Sequence, residues 1–122
     1  MSRYTTEADL SRTIQLDLSH GGTRLFRQHV GVFWAGTVVN RVGGNITLAN
    51  AYAVHVGTAG MSDLYGLTDG GIFVSLEVKN PGARTDPGRL ADQIRWCALI
   101  ASLGGRSGIV DNLEAARKVV HP

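Results

Sequence analysis

The chain has one cysteine, three prolines and no apolar run of membrane-spanning length, and each shortage excludes something. A lone Cys97 rules out an internal disulfide and suits a reducing compartment. It falls in an apolar helical pattern, where a thiol acts as a small buried hydrophobe rather than a nucleophile. Without a long apolar run no membrane partner is expected, and the polar opening Met1-Ser-Arg-Tyr-Thr-Thr6 does not read as a signal peptide. The expected location is cytoplasmic. Charge of either sign is also scarce, with 12 Lys+Arg against 10 Asp+Glu and a formal +2. So small a surplus excludes binding nucleic acid by bulk charge, and leaves room for it only where basic residues cluster. No repeat, linker or low-complexity tract appears, so 1–122 is read as a single domain with one core.

Glycine is plentiful at 16, which points to short strands and tight turns. The chain is organised around Gly60–Lys79, GMSDLYGLTDGGIFVSLEVK. Ile72, Val74, Leu76 and Val78 alternate with Phe73, Ser75, Glu77 and Lys79, the period of a strand. Asp69-Gly70-Gly71 supplies the turn, with positive φ at little cost. The hairpin brings Asp63 back toward Glu77, and Glu77 and Lys79 share a face. Two carboxylates held together repel unless a proton or a cation sits between them, and a divalent ion such as Mg²⁺ takes such oxygen ligands. The plainer alternative is a turn Asp beside a Glu-Lys pair on a solvated strand.

Around this hairpin, residues 6–20 read as a helix capped by Thr6, with Glu7, Leu10, Ile14 and Leu18 on one face. Glu7 there is either a solvated helix-end charge or a functional acid, with Asp17 the second choice. Residues 23–34 read as one strand, whose Arg24, Arg27 and His29 are solvent-facing or phosphate contacts. Residues 36–57 read as an inserted hairpin, with strands at 37–41 and 45–55. His55 in it is structural or metal-adjacent. Asp86 and Pro87 start a second helix that runs to about Leu103, its expected buried stripe being Leu90, Ile94, Cys97, Ala98 and Ala101. Gln93 is by spacing an ordinary helix residue. Arg84 and Arg89 flank the start of this helix and suit a phosphate backbone. A strand at 107–110 and a last helix from an Asp111-x-x-Glu114 capping box to Val120 complete the chain.

Asp63 followed by Glu77-Val78-Lys79 resembles the PD-(D/E)XK nuclease signature. More narrowly, Glu7, Gly60-Met-Ser-Asp63, Glu77-Val-Lys79 and Gln93 in order resemble the virus-type replication-repair nuclease (VRR-NUC) domain, over nearly the whole chain. The resemblance implies an α/β fold, an α-β-β-β-α-β core with a mixed central sheet flanked by helices, here with an extra final helix. It implies a Mg²⁺- or Mn²⁺-dependent endonuclease. Asp63, Glu77, the Val78 carbonyl and Glu7 would hold the metal, Lys79 would act on water or phosphate, and Gln93 would support the site. Small members of this family resemble junction-resolving nucleases of phages and bacteria, so the expected partner is branched DNA, including the four-way (Holliday) junction. The alternatives are a general or restriction-like DNA nuclease, and a non-catalytic DNA-binding or assembly protein on the same fold. Paired cuts in a junction call for a homodimer. Trp96, Leu99 and Ile100 lie off the Leu90–Ile94–Ala98 line, so that face either meets a second copy or is buried in the chain's own core.

Overall fold

Thr6 accepts a hydrogen bond from the Asp9 amide at 3.0 Å, and this cap starts α1 (Glu7–Leu18). Leu10, Ile14 and Leu18 follow at helical spacing and are buried, each stabilising the fold by about 1.5–3 kcal/mol. The computed structural model describes residues 6–122; the opening Met1–Thr5, read as free of a signal sequence, lies outside them. After α1 come β1 (Arg24–Arg27), β2 (Gly31–Val42), β3 (Asn45–Val56), β4 (Leu64–Thr68), β5 (Ile72–Val78), α2 (Pro87–Ser102), β6 (Arg106–Val110) and α3 (Leu113–Val120). The class is α/β with a mixed sheet.

That sheet has the order β1-β4-β5-β6. The β1/β4 and β4/β5 pairs are antiparallel, and β5/β6 is parallel through the α2 crossover. Leu64, Val74, Leu76, Val78 and Val110 point from it into one core with the α1 residues, Ala116 and Val120. The other face of β5 carries Ser75 and Glu77, both buried. Gly66 is required between β1 and β4, because a Cβ there would stand 1.9 Å from the Arg24 carbonyl oxygen.

Polar burial on that second face explains why α2 is rotated from the expected stripe. Gln93 and Ile100 are its buried residues, while Ile94, Ala98 and Ala101 are exposed and Leu90 and Cys97 half-buried. The helix docks by hydrogen bonds. Gln93 reaches Glu77 at 3.0 Å, and the Trp96 indole N–H donates to the Ser75 hydroxyl at 2.9 Å. Trp96 and Ile100 are therefore committed to the chain itself, and only Leu99 of the expected partner face is exposed.

The expected strand over 23–34 divides. β1 stops at Arg27, the Gln28 amide donates to the Asp63 carbonyl at 2.6 Å, and Gly31 at φ 145 opens β2. β2 and β3 then pair only with each other and are longer than the 37–41 and 45–55 pieces. Gly43-Gly44 joins them between the Val42↔Asn45 pair, with Gly43 at φ 58, as a two-residue hairpin turn demands. At about 3.3 Å per residue this arm is about 40 Å long. No residue of it is fully buried, and only Ala35, Leu48, Ala49 and Val56 are half-buried. The last helix is capped by Asn112 rather than Asp111: its side chain accepts from the Ala115 amide at 2.8 Å.

Candidate active site

Pairing of Leu64 with Leu76 sets Asp63, just before β4, across from Glu77 on β5. The Asp63 carboxylate accepts a hydrogen bond from the Val78 amide at 3.1 Å, which ties the two strands at this end. Glu77 is only 3% exposed. Its Oε1 takes the Gln93 amide N–H at 3.0 Å and lies 3.3 Å from Lys79 Nζ. Glu77 and Lys79 thus meet on one strand face, and α2 closes over them with Gln93.

Electrostatics follow from that burial. Desolvation, helped by the Asp63 charge, pushes the Glu77 carboxyl up from 4.5 to about 7, with Lys79 and Arg89 pulling it back. A buried carboxylate facing a second one is stable either protonated or beside an added cation. The Gln93 side-chain oxygen is also buried without a partner among the described residues. Buried polar atoms almost always find one, so this oxygen is open to a bound water or ion. Asp63, Glu77 and this neighbourhood are chemically suited to a hard divalent cation. Among the described residues no group of three or more Asp, Glu, His or Cys side chains converges on one point.

Two clefts flank Asp63. One, of about 410 Å³, is lined by Asp63, Glu77, Gln93, Arg89 and Asp92 together with Val30, Gly31 and the 59–61 turn. The other, of about 330 Å³, is lined by Asp63, Glu7, Ser11, Arg27 and His29 among others. Glu7 is exposed at the start of α1 and shares the second cleft with Asp63, whereas Glu77 lines the first. Arg27, His29 and Arg89 are brought to the clefts. Arg24 sits at the far end of β1, its guanidinium 5.8 Å from the Phe26 ring centroid, and lines neither. Arg84 is exposed in the 79–86 loop. Asp17 is engaged elsewhere, in a 3.0 Å ion pair with Arg117 that joins α1 to α3, and His55 pairs with Val32 in the arm.

Two features here escape sequence reasoning. Asp92 lines the cleft with both acids and pairs with Arg95; its position just before Gln93 was the available signal. Gly60 has a steric role: a Cβ there would meet the Asp92 carbonyl oxygen at 2.2 Å, so the turn before Asp63 lies directly on α2. Comparison with family models, with curated proteins and with solved structures gave no match to this chain.

Proposed function

We propose that this protein is a metal-dependent DNA endonuclease, with a nuclease fold of the kind its Asp63…Glu77-Val-Lys79 pattern resembles. The observation that carries the reading is Glu77: a buried carboxylate that faces Asp63 and is held by Lys79 and Gln93 beside an open cleft. Removing a carboxylate from water costs several kcal/mol, and a role in holding a cation at the cleft accounts for that cost beside a second acid. Asp63, Glu77 and the Val78 carbonyl would hold Mg²⁺ or Mn²⁺, with Glu7 adding a carboxylate in the neighbouring cleft that Asp63 also lines. Bound there, such an ion supplies a Lewis acid and a hydroxide-like nucleophile.

The protein's own groups do the rest. Gln93 fixes the Glu77 carboxylate by one hydrogen bond, which leaves its other oxygen free to act. Lys79 orients the attacking water or steadies charge developing on the phosphate. Arg27, His29 and Arg89 rim the clefts and suit phosphate contacts, which position a strand without reading its sequence. Recognition by shape fits a branched DNA substrate, including a four-way junction. A reducing cytoplasm, of a bacterium or of a phage-infected host, goes with the same reading. No helix among the described residues is long and apolar enough to cross a membrane.

The test is cleavage of junction, flap, linear duplex and single-stranded DNA under metal titration. Mg²⁺ or Mn²⁺ should support cutting, with junctions preferred, while Ca²⁺ should not. Full activity in EDTA would defeat the metal, and no cutting with any metal would defeat the enzyme.

A further inference from the structure

On the sheet face that carries Ser75 and Glu77, α2 packs over β6 and β5, while Phe26, Tyr65 and Leu67 on β1 and β4 stay exposed. Register places these side chains, because residues two apart on a strand share a face, as do cross-strand partners. Tyr65 pairs with Ser75, Leu67 with Phe73, Phe26 with Tyr65 and Arg24 with Leu67. All of them therefore stand on the Glu77 face, and Tyr65 follows Asp63 there by two residues. Phe73, on β5, is half-buried.

Three of these rings make a row. The centroids of Phe26 and Tyr65 lie 5.6 Å apart with the planes at 34°, and those of Tyr65 and Phe73 lie 6.4 Å apart at 29°. Aromatic rings exposed together mark a surface that something covers. Arg24 stands at the outer end, its guanidinium 5.8 Å from the Phe26 centroid, and it has no part in the chemistry at Glu77. At the inner end the row meets Asp63 and its cleft, which Arg89 also lines. The segment 18–62, which contains β1, holds no Asp or Glu and carries Arg24, Arg27 and Arg41.

We propose that the Phe26–Tyr65–Phe73 row is a stacking platform for unpaired bases, over which a short single-stranded stretch of the substrate runs into the Asp63–Glu77 cleft. The proposal deepens the nuclease reading and rests on it for where the scissile bond lies. Every base has a π-face, so stacking on such rings tolerates any sequence. A guanidinium beside a ring adds a phosphate contact or a further stacking plane. In a duplex each base face is already covered by its neighbours, whereas a branch point, flap or gap leaves faces bare. Branched DNA is then preferred for a physical reason. The position of the row argues against a protein as its occupant, whether foreign or a second copy. Tyr65 is so near Asp63 that a body broad enough to cover the rings would close the cleft, while a single strand laid on them leads into it.

The test reads binding without cleavage, in EDTA, by fluorescence anisotropy. The probes are a labelled oligothymidylate of about 12 nucleotides and an abasic strand of the same length. The oligothymidylate should bind on the order of 10-fold more tightly than the abasic strand. Phe26→Ala or Tyr65→Ala should remove most of that advantage and leave abasic binding unchanged, while Tyr65→Phe keeps it. Arg24→Ala should weaken both strands and flatten the salt dependence. Equal affinity of the two strands for the parent protein overturns the platform, and leaves the nuclease reading standing where the protein still cuts DNA. Base-dependent binding lost in Tyr65→Ala, with no cutting in Mg²⁺ or Mn²⁺, supports the platform and defeats the nuclease. If Phe26→Glu changes the mass seen by light scattering but not thymidylate binding, the row is a protein contact and the proposal falls. Should the alanine variants fail to fold, a 5-iodouracil strand photo-cross-linked to the parent protein decides the matter. Adducts at Phe26, Tyr65 or Phe73 support the platform, and adducts confined to Trp34 or Tyr52 of the arm overturn it.

Discussion

β4 and β2 are both strands of one chain, yet their surroundings are opposite. Along β4 the residues alternate strictly between buried and exposed, because α1 and α3 fill one side of the sheet. Along β2 an apolar sequence richer in β-branched residues is exposed almost throughout, because among the described residues no second layer packs on it. Strand propensity alone therefore makes a strand, but only a second layer makes a core. The body has that layer, and every acid of the candidate site stands on it or at its margin. The arm lacks the layer and contributes to the site only Val30 and Gly31 at its root.

If function is confined to the body, the largest effects must come from its two facing carboxylates. Asp63→Ala or Glu77→Ala should abolish cleavage, with near-native circular dichroism as the control. An equal loss from Arg41→Ala, near the arm tip, would erase the functional contrast between the regions. Lys79→Ala should slow turnover on the order of 10²-fold while calorimetry still detects metal binding; unchanged turnover would return Lys79 to an ordinary ion pair. Stability should divide along the same line. Leu76→Ala in β5 should cost about 2–5 kcal/mol in urea unfolding, against about 0.5 kcal/mol or less for Val39→Thr in the arm. Equal costs would mean the arm has a core of its own.

A pH effect of similar size follows from Glu77. Its folded value of about 7 exceeds the ordinary 4.5, so between those values the unfolded chain is ionised while the folded one keeps its proton. Stability of the metal-free protein is then fully present below the lower value and falls as pH rises to the upper one. The loss is on the order of 3 kcal/mol or less. Glu77→Gln should flatten that slope in denaturation measured from pH 4 to 8. An unchanged slope would assign it to another group.

How far the sequence foretold this depends on the kind of signal. The Asp63–Glu77–Lys79 grouping was legible because period-two alternation and the Asp69-Gly70-Gly71 turn fix register locally. α1 was legible because Leu10, Ile14 and Leu18 make an apolar stripe at helical spacing, with Ser11 the polar residue buried beside it. α2 was misread for the converse reason: Gln93 and the Trp96 indole face inward to meet Glu77 and Ser75, so the inward face is not the most hydrophobic one. The arm was foreseen as an inserted hairpin but not its extent. Its strands have apolar residues on both faces, and no periodicity marks where such a strand leaves one sheet for another. Gly31 holds the break, and a single glycine in a strand pattern also signals a bulge.

The Gly43-Gly44 turn has a consequence for the order in which the chain folds. β1 and β4 pair Arg27 with Leu64, so residues 28–63 must be looped out before the central sheet can close. A hairpin of this kind zips from its turn within about 1–10 μs, and its last pair, Gly31 with Val56, brings the two ends of that loop together. The effective loop shrinks to the few residues at each root, which lowers the closure cost by about 1 kcal/mol on logarithmic scaling. An element that adds nothing to the core thus shortens the search for it, and slowing the turn with Gly43→Val should slow the folding of a sheet that the turn never touches.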